Sequence, residues 1–199
     1  MILSQIIKTM KSKNYAVFEH DSKPFNLNIV GIRSTEIKVN EFNDWIVVFW
    51  KYQGKWSQYW VRCTTLAGLY YLEKPTNPQG CAILCDGQYR STYKLDLHAG
   101  KYKGLCQRNG EVEVWRDNDK DTEFDFNMDS KEWGYFGINI HRASSSKTLA
   151  EIDNYSAGCQ VIQNPQNFDT FIQICEQSEL FFGNSFTYTL LNQKDIENE

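Results

Sequence analysis

Two runs of aromatic and β-branched residues, 45–52 and 56–63, flank the short turn Gln53-Gly54-Lys55. Such residues favour strands, and two strand-forming runs joined by a short turn that contains Gly predict a β-hairpin. Similar runs recur along the 199 residues, of which 15% are aromatic. They lie at 15–19, 27–34, 81–85, 93–98, 111–115, 134–141, 159–162 and 186–191. The chain is therefore predicted to be mainly β.

Two segments have the apolar spacing of amphipathic helices, one at about residues 2–12 and one that begins at Asn164-Pro165. Their apolar faces comprise Leu3, Ile6, Ile7 and Met10 in the first and Phe168, Phe171, Ile172 and Cys175 in the second. We expect one α+β domain over residues 1–199 with two or three helices, and a frayed polar tail at 192–199.

Charge and cysteine usage narrow the functional classes. A net charge of −4 and a pI near 5.5 argue against a nucleic-acid-binding surface, which needs clustered Lys and Arg. No segment has the apolar length of a membrane span, and residues 1–10 lack the continuous apolar run of a signal peptide. We expect cytosolic synthesis with six reduced thiols, so action at a cell wall would follow lysis, injection or release without a signal.

The residues with the strongest chemical pattern are a Cys and a His. The run Gly137-Ile-Asn-Ile-His141 is followed, eighteen positions after the His, by Cys159 in Ser156-Ala-Gly-Cys. A cysteine nucleophile needs an imidazole base and backbone N–H groups for the oxyanion, and Gly allows close approach of the backbone to a carbonyl. Cys159 is the candidate nucleophile and His141 the candidate base.

A strand that ends in Ile-His, a variable loop, and then Ser-x-Gly-Cys before another apolar strand resembles the signature of L,D-transpeptidase catalytic domains of the YkuD type. The resemblance covers roughly residues 134–163. It implies a β-sandwich or partly open barrel without a cofactor, whose Cys attacks a carbonyl of peptidoglycan stem peptides and whose acyl-enzyme passes to an amine or to water. By position, Ser156, Gly158 and Gln160 would then shape the turn and the oxyanion site.

Two positions depart from the family pattern. Arg142 stands where the family has Gly after the His, and Val161 stands where it has Arg after the Cys. We therefore expect Arg142, and with it Asn139, to contact the substrate in place of the missing Arg, since a guanidinium matches a carboxylate. Its charge would also help to keep His141 neutral. Residues 26–34 resemble a run in uncharacterised phage-associated and bacterial proteins.

Metal sites are poorer interpretations. Cys81 and Cys85, with Cys63, Cys106 and His98, contain zinc-ligand residue types, but no second close pair completes a four-ligand set. Structural thiols explain this spacing better.

The acidic run at 117–121 alternates Asp as a calcium loop does. Thr122 replaces the turn Gly, and Met128 replaces the bidentate Glu, so a solvated turn is the better interpretation.

The sequence leaves three functions open. The first is a cysteine enzyme acting on stem peptides, by transfer or by hydrolysis. The second is a binding or structural protein, such as a virion component, that keeps the fold without the chemistry, in which Cys159 and His141 are ordinary buried residues. The third is a cysteine hydrolase of another amide. The oligomeric state is not predicted.

Overall fold

The computed structural model describes residues 2–198 and is built mainly from strands. Strands are β1 Asn28–Arg33, β2 Asp44–Tyr52, β3 Lys55–Thr64, β4 Cys81–Leu84, β5 Gly87–His98, β6 Tyr102–Gln107, β7 Val112–Asp117, β8 Glu132–Gly134, β9 Ile140–Arg142, β10 Gln160–Ile162 and β11 Phe186–Asn192. Helices are α1 Leu3–Ser12, α2 Leu69–Glu73, α3 Pro165–Phe182 and α4 Gln193–Glu197, and Met128–Ser130 and Asp153–Tyr155 form 3₁₀ turns. The predicted mainly β, α+β class is confirmed.

Eight of these strands close into a barrel in the order β1-β11-β5-β6-β9-β10-β3-β2, and β4, β7 and β8 form a separate three-stranded sheet. Most barrel neighbours are antiparallel, whereas β1 with β11 and β9 with β10 are parallel. The predicted hairpin is β2 with β3, paired from Asp44 opposite Cys63 to Tyr52 opposite Lys55. Positive φ angles at Gln53 and Gly54 close its turn, as the twist of a two-residue hairpin requires.

The main apolar core fills the barrel and continues beneath α3 and the three-stranded sheet. It contains Tyr93, Leu105, Ile140, Phe171 and Tyr188, among others. Phe171 and its neighbours come from the predicted apolar face of α3. That helix begins where Asn164 accepts a hydrogen bond from the Asn167 N–H, with Pro165 in its first turn.

A second apolar cluster lies between the barrel wall and the terminal helices. Ile6 and Met10 of α1 pack there against Val47 and Phe49 of β2. Ile196 of α4 belongs to the same cluster and is fully buried. The tail predicted to fray is therefore helical over Gln193–Glu197, because one apolar residue in a polar sequence anchors it to this cluster.

Two predicted strands differ in the structure. Residues 15–19 are extended but pair with no strand among residues 2–198. The strand predicted over 134–141 is interrupted between β8 and β9, because Gly137 has a φ of +71°. The N–H groups of Gly137 and Ile138 donate to the Gln107 side chain instead of a neighbouring strand. Between residues 2 and 198 no helix is long and apolar enough to cross a membrane.

Candidate active site

Cys159 lies at the end of a tight turn that leads into β10. The buried Ser156 hydroxyl lies 2.9 Å from both Leu66 O and Cys159 O and accepts from the Gly158 N–H. Gly158 has a φ of +116°, and a Cβ at this position would collide with the carbonyl of Ala82. The Ser-x-Gly-Cys sequence is thus explained locally by one hydroxyl that closes the turn and one residue without a side chain.

The parallel pairing of β9 with β10 places the Cys and the His on the same face. Val161 is opposite His141 and Gln160 is opposite Ile140, so Cys159 comes next to Asn139. Ile140 packs inside the barrel, whereas Cys159 and Val161 belong to a different apolar cluster. Because side chains alternate across a strand, Cys159 and His141 both lie on the outer face, two residues apart along neighbouring strands.

The thiol of Cys159 is held by the backbone of the preceding segment. Its sulfur donates to the Gly137 carbonyl and accepts from the Asn139 N–H, each at 3.4 Å. Over residues 2–198 there is no hydrogen bond between this sulfur and His141. The Cys159 N–H likewise has no acceptor in that range. The amide thus has an unused hydrogen-bond donor, and the thiol bonds to the backbone of residues 137–139 and not to the candidate base.

The orientation of His141 follows from its partners. Its Nδ1 lies 2.9 Å from the Arg142 carbonyl, which can only accept, so Nδ1 carries the proton and Nε2 has the free lone pair. The Tyr102 hydroxyl donates to the same carbonyl at 3.3 Å. His141 is 5% exposed. The imidazole is therefore fixed in the tautomer that a general base needs.

His98, which the sequence pattern did not assign to the site, stacks on His141 with ring centroids 4.0 Å apart and planes 17° apart. It comes from the end of β5. The Asn139 carbonyl oxygen accepts from the Gln107 N–H, so its NH₂ group faces His98 Nδ1 at 3.1 Å. An NH₂ group can only donate, so His98 Nδ1 is unprotonated and His98 is neutral. No spacing in the sequence predicts this stack, because it depends on the pairing of β6 with β9.

The protonation of the pair follows from burial. Burial raises the pKa of the Cys159 thiol to about 11, against a smaller lowering by the Asn139 N–H. Burial, and then the neighbouring His98, lower the pKa of His141 to about 3. Burial also lowers the pKa of His98. At neutral pH the site therefore holds a neutral thiol and a neutral imidazole, and not a thiolate–imidazolium pair.

Cys159, which is half-buried, opens on a cavity of about 360 Å³. The cavity is lined by Cys159, Ala157, Gly137, Ile138, Tyr71, Tyr135, Phe136, Arg116, Ala82, Cys81, Gly80 and residues 75–77. His141 is not part of this lining. The cation in the wall is Arg116 of β7, whose guanidinium pairs with Glu132 and lies 4.8 Å above the Phe136 ring. Sequence reasoning missed Arg116 because it is far from the Cys motif along the chain.

Arg142 is placed elsewhere. Its guanidinium lies 4.2 Å above the Tyr102 ring and 3.9 Å from Asp169 of α3, in a different cavity. The structure does not bring it to Cys159, because the residue after His141 turns to the opposite face of β9. The lowered pKa of His141 results from burial and from His98, not from this guanidinium.

The remaining residues predicted for the site form hydrogen bonds within the protein or shape the turn before Cys159. The side chain of Asn139 is occupied by Gln107 and His98, as above. Gln160 lies inside the barrel, where its carbonyl oxygen accepts from the Tyr188 hydroxyl at 2.9 Å and its NH₂ group approaches the Gly158 carbonyl. Ser156 and Gly158 shape the turn. The side chains of Asn139 and Gln160 are thus not free to contact a substrate in this arrangement.

All six cysteines are free thiols, and no group of three His, Cys, Asp or Glu side chains within residues 2–198 could hold a metal. Comparisons of the chain with protein-family models, with curated proteins and with solved structures found no match.

Proposed function

We propose that the protein is a cysteine-dependent acyl-transfer enzyme, similar to the L,D-transpeptidases, that acts on peptidoglycan stem peptides through a thioester at Cys159. One observation carries the proposal. Cys159 and His141 lie on the same outer face where β9 and β10 pair, and Cys159 lines a cavity of about 360 Å³. The proposed place of action is a bacterial cell wall.

The first step requires the thiol to change partners. Rotation about the Cα–Cβ bond of Cys159 would move the sulfur from the Gly137 carbonyl towards His141, a change between ordinary side-chain rotamers. His141 Nε2 then accepts the thiol proton as the sulfur attacks the peptide carbonyl carbon. Because both groups are neutral beforehand, proton transfer accompanies the attack and does not precede it.

The tetrahedral intermediate has an oxyanion, to which the Cys159 N–H can donate a hydrogen bond because it has no acceptor within residues 2–198. When the intermediate collapses, the C–N bond breaks, the amine leaves with the proton from His141, and a Cys159 thioester remains. Water or a second amine then attacks the thioester with His141 again as base. Hydrolysis and transfer differ only in this acceptor.

The neighbours of His141 have a positioning role in this scheme. The Arg142 carbonyl holds Nδ1–H, and the neutral His98 ring stacks on the imidazole. Both interactions keep Nε2 available as the acceptor. The choice of stem peptides as substrates rests on the sequence resemblance. Arg116 lines the cavity and would bind a carboxylate of the substrate in place of Glu132, its present partner.

Purified protein incubated with muropeptides and analysed by mass spectrometry tests this function. We expect cleaved products, or exchanged products when an amine acceptor is added, and neither with Cys159→Ala. Unchanged muropeptides with the native protein would refute the stem-peptide activity. Activity that survives in Cys159→Ala would refute the thioester.

A non-catalytic binding protein is the second candidate, favoured by the missing hydrogen bond between the thiol and His141 and by the raised pKa of Cys159. Labelling with iodoacetamide near neutral pH separates the two. Cys159 is the one half-buried thiol among the six and should be labelled first from access alone. Slower labelling in His141→Phe shows that the imidazole acts as a base, whereas an unchanged rate supports the binding protein.

Labelling that depends on His141, together with unchanged muropeptides, would indicate a cysteine hydrolase of another amide.

A further inference from the structure

A second cavity, of about 400 Å³, shares no lining residue with the Cys159 cavity. Arg33 at the end of β1, Asn192 at the end of β11 and Trp115 of β7 line it, together with Phe126 from the segment after β7. This second cavity lies at the ends of β1 and β11 beside the three-stranded sheet, and a ligand bound there would not contact Cys159.

Arg33 is a buried cation whose hydrogen bonding is incomplete. It is 2% exposed, and its Nε donates to the Thr65 hydroxyl while Nη2 donates to the carbonyls of Thr65 and Leu84. Within residues 2–198 its Nη1 has no acceptor. The nearby carboxylate of Asp44 accepts from the N–H and hydroxyl of Thr65 instead. A buried guanidinium without a direct carboxylate partner is costly, because the lost hydration is only partly replaced.

Trp115 lines the same cavity and also has an unused donor. It is 7% exposed, and its indole Nε1–H has no acceptor in the part of the chain that the structure describes. Buried indole N–H groups normally have a partner. Two residues that line one cavity thus each have a buried donor without an acceptor, and a carboxylate can accept hydrogen bonds from two donors.

The rest of the lining sets the size and charge of the ligand. The Phe126 ring lies 5.7 Å from the Arg33 guanidinium carbon, and Ile37 adds a partly exposed apolar side chain. Lys194, an exposed residue, contributes a second cation, whereas Asp86 contributes an acid. An acid in the wall disfavours a dianion such as a phosphate monoester and is compatible with a single carboxylate beside an apolar body.

We propose that this cavity binds a small organic monocarboxylate. The carboxylate oxygens accept from Arg33 Nη1 and Trp115 Nε1, and the apolar body packs against Phe126 and Ile37. Both nitrogens are shielded from solvent in the free protein, so Phe126 must move off the guanidinium face as the ligand enters.

Benzoate is the probe, and the indole N–H signals of the ¹⁵N-labelled protein are the readout. We expect saturable, downfield movement of the Trp115 indole signal up to about 10 mM benzoate, the range of weak small-ligand binding. Benzamide and inorganic phosphate at the same concentrations should move it much less. No saturable shift with benzoate would overturn the proposal, as would equal effects of all three probes.

Trp115→Phe is the decisive variant, because this N–H has no acceptor in the free protein and its loss breaks no internal hydrogen bond. Affinity for benzoate, measured by calorimetry, should fall about tenfold, the effect of one hydrogen bond to a charged group. Lys194→Gln should weaken it about threefold by removing a solvent-exposed charge. Trp133→Phe, which changes a Trp that is 60% exposed on β8, is the matched control and should bind as the native protein does. Equal affinity in Trp115→Phe and Trp133→Phe would also refute the site.

Discussion

The β2–β3 hairpin and the β9–β10 pair lie in neighbouring parts of one barrel but are held together differently. β2 and β3 pair along their whole length, from Asp44 opposite Cys63 to the turn. β9 and β10 have three residues each, and β9 meets β6 only where Ile140 is opposite Leu105. The candidate site lies in the second region, where the backbone ladder is short.

Side chains replace the missing ladder beside the site. Gln107 accepts from the N–H groups of Gly137 and Ile138, Asn139 accepts from the Gln107 N–H, and Ser156 closes the turn before Cys159. One donor, the Cys159 N–H, stays free in the described chain. A short ladder thus leaves backbone groups available to a substrate, and the surrounding polar side chains hold them in place. Variants in the β2–β3 hairpin should therefore change the free energy of unfolding, whereas variants beside the β9–β10 pair should also change turnover.

Phe49→Ala in the hairpin should have the largest effect on stability. Phe49 of β2 is fully buried in the cluster that contains Ile6 and Met10 of α1, and its ring packs edge-on against Trp56 with ring centroids 5.5 Å apart. Removing it should lower the free energy of unfolding by about 4 kcal/mol, measured by urea denaturation. Tyr52→Ala, at an exposed position on the same strand, should cost less than about 1 kcal/mol. Similar losses in the two variants would contradict the packing assigned to Phe49. Muropeptide turnover per folded molecule should not change in either.

Gln107→Ala should lower both the free energy of unfolding and the turnover of muropeptides. It removes the acceptor of two backbone N–H groups and the donor to the carbonyls of Gly110 and Gly134. We expect a loss of about 3 kcal/mol in unfolding free energy, since buried groups lose their partners. Turnover should also fall more than tenfold, because Gly137 and Ile138 line the Cys159 cavity and lead into β9, which carries His141. Gln58→Ala, on the exposed part of β3, is the control. Full turnover in Gln107→Ala would show that the chemistry does not depend on this support.

The pH dependence of stability should identify His141. Its pKa is about 3 in the folded protein and near 6.5 when unfolded, so the unfolded chain binds more protons between these values. The stabilisation is therefore complete above pH 6.5 and is lost as the pH falls towards 3. Between pH 7 and pH 5 the free energy of unfolding of the native protein should fall by about 2 kcal/mol more than that of His141→Phe does. His20→Gln, a change at an exposed position, is the control and should lose as much unfolding free energy as the native protein. Parallel curves of unfolding free energy against pH for the native protein and His141→Phe would contradict the burial of a neutral imidazole.

The regions also differ in how far the sequence predicts them. The hairpin and α3 follow from local patterns, namely strand-forming runs around a Gly turn and an Asn-Pro helix start. The Cys and His of the site share a sequence motif, and the register places them on one face. The sequence could not show that His98 from β5 stacks on His141, or that Arg116 from β7 reaches the cavity, because both depend on pairings between distant strands. The buried Ile196 was missed because a single apolar residue in a polar tail has no periodicity.

Arg142→Ala should have the smallest effect on stability. It tests whether Arg142 contacts the substrate, as the sequence predicts, or packs away from the Cys159 cavity, as in the structure. The guanidinium packs on Tyr102 and approaches the largely exposed Asp169, so its loss should cost less than about 1 kcal/mol in unfolding free energy. The KM for muropeptides should not change, because this side chain faces α3 and not the Cys159 cavity. Arg116→Ala should instead raise KM, since Arg116 lines that cavity. The reverse result, a raised KM in Arg142→Ala alone, would mean that the substrate crosses β9 to the face of α3 and that the cavity beside Cys159 is not where it binds.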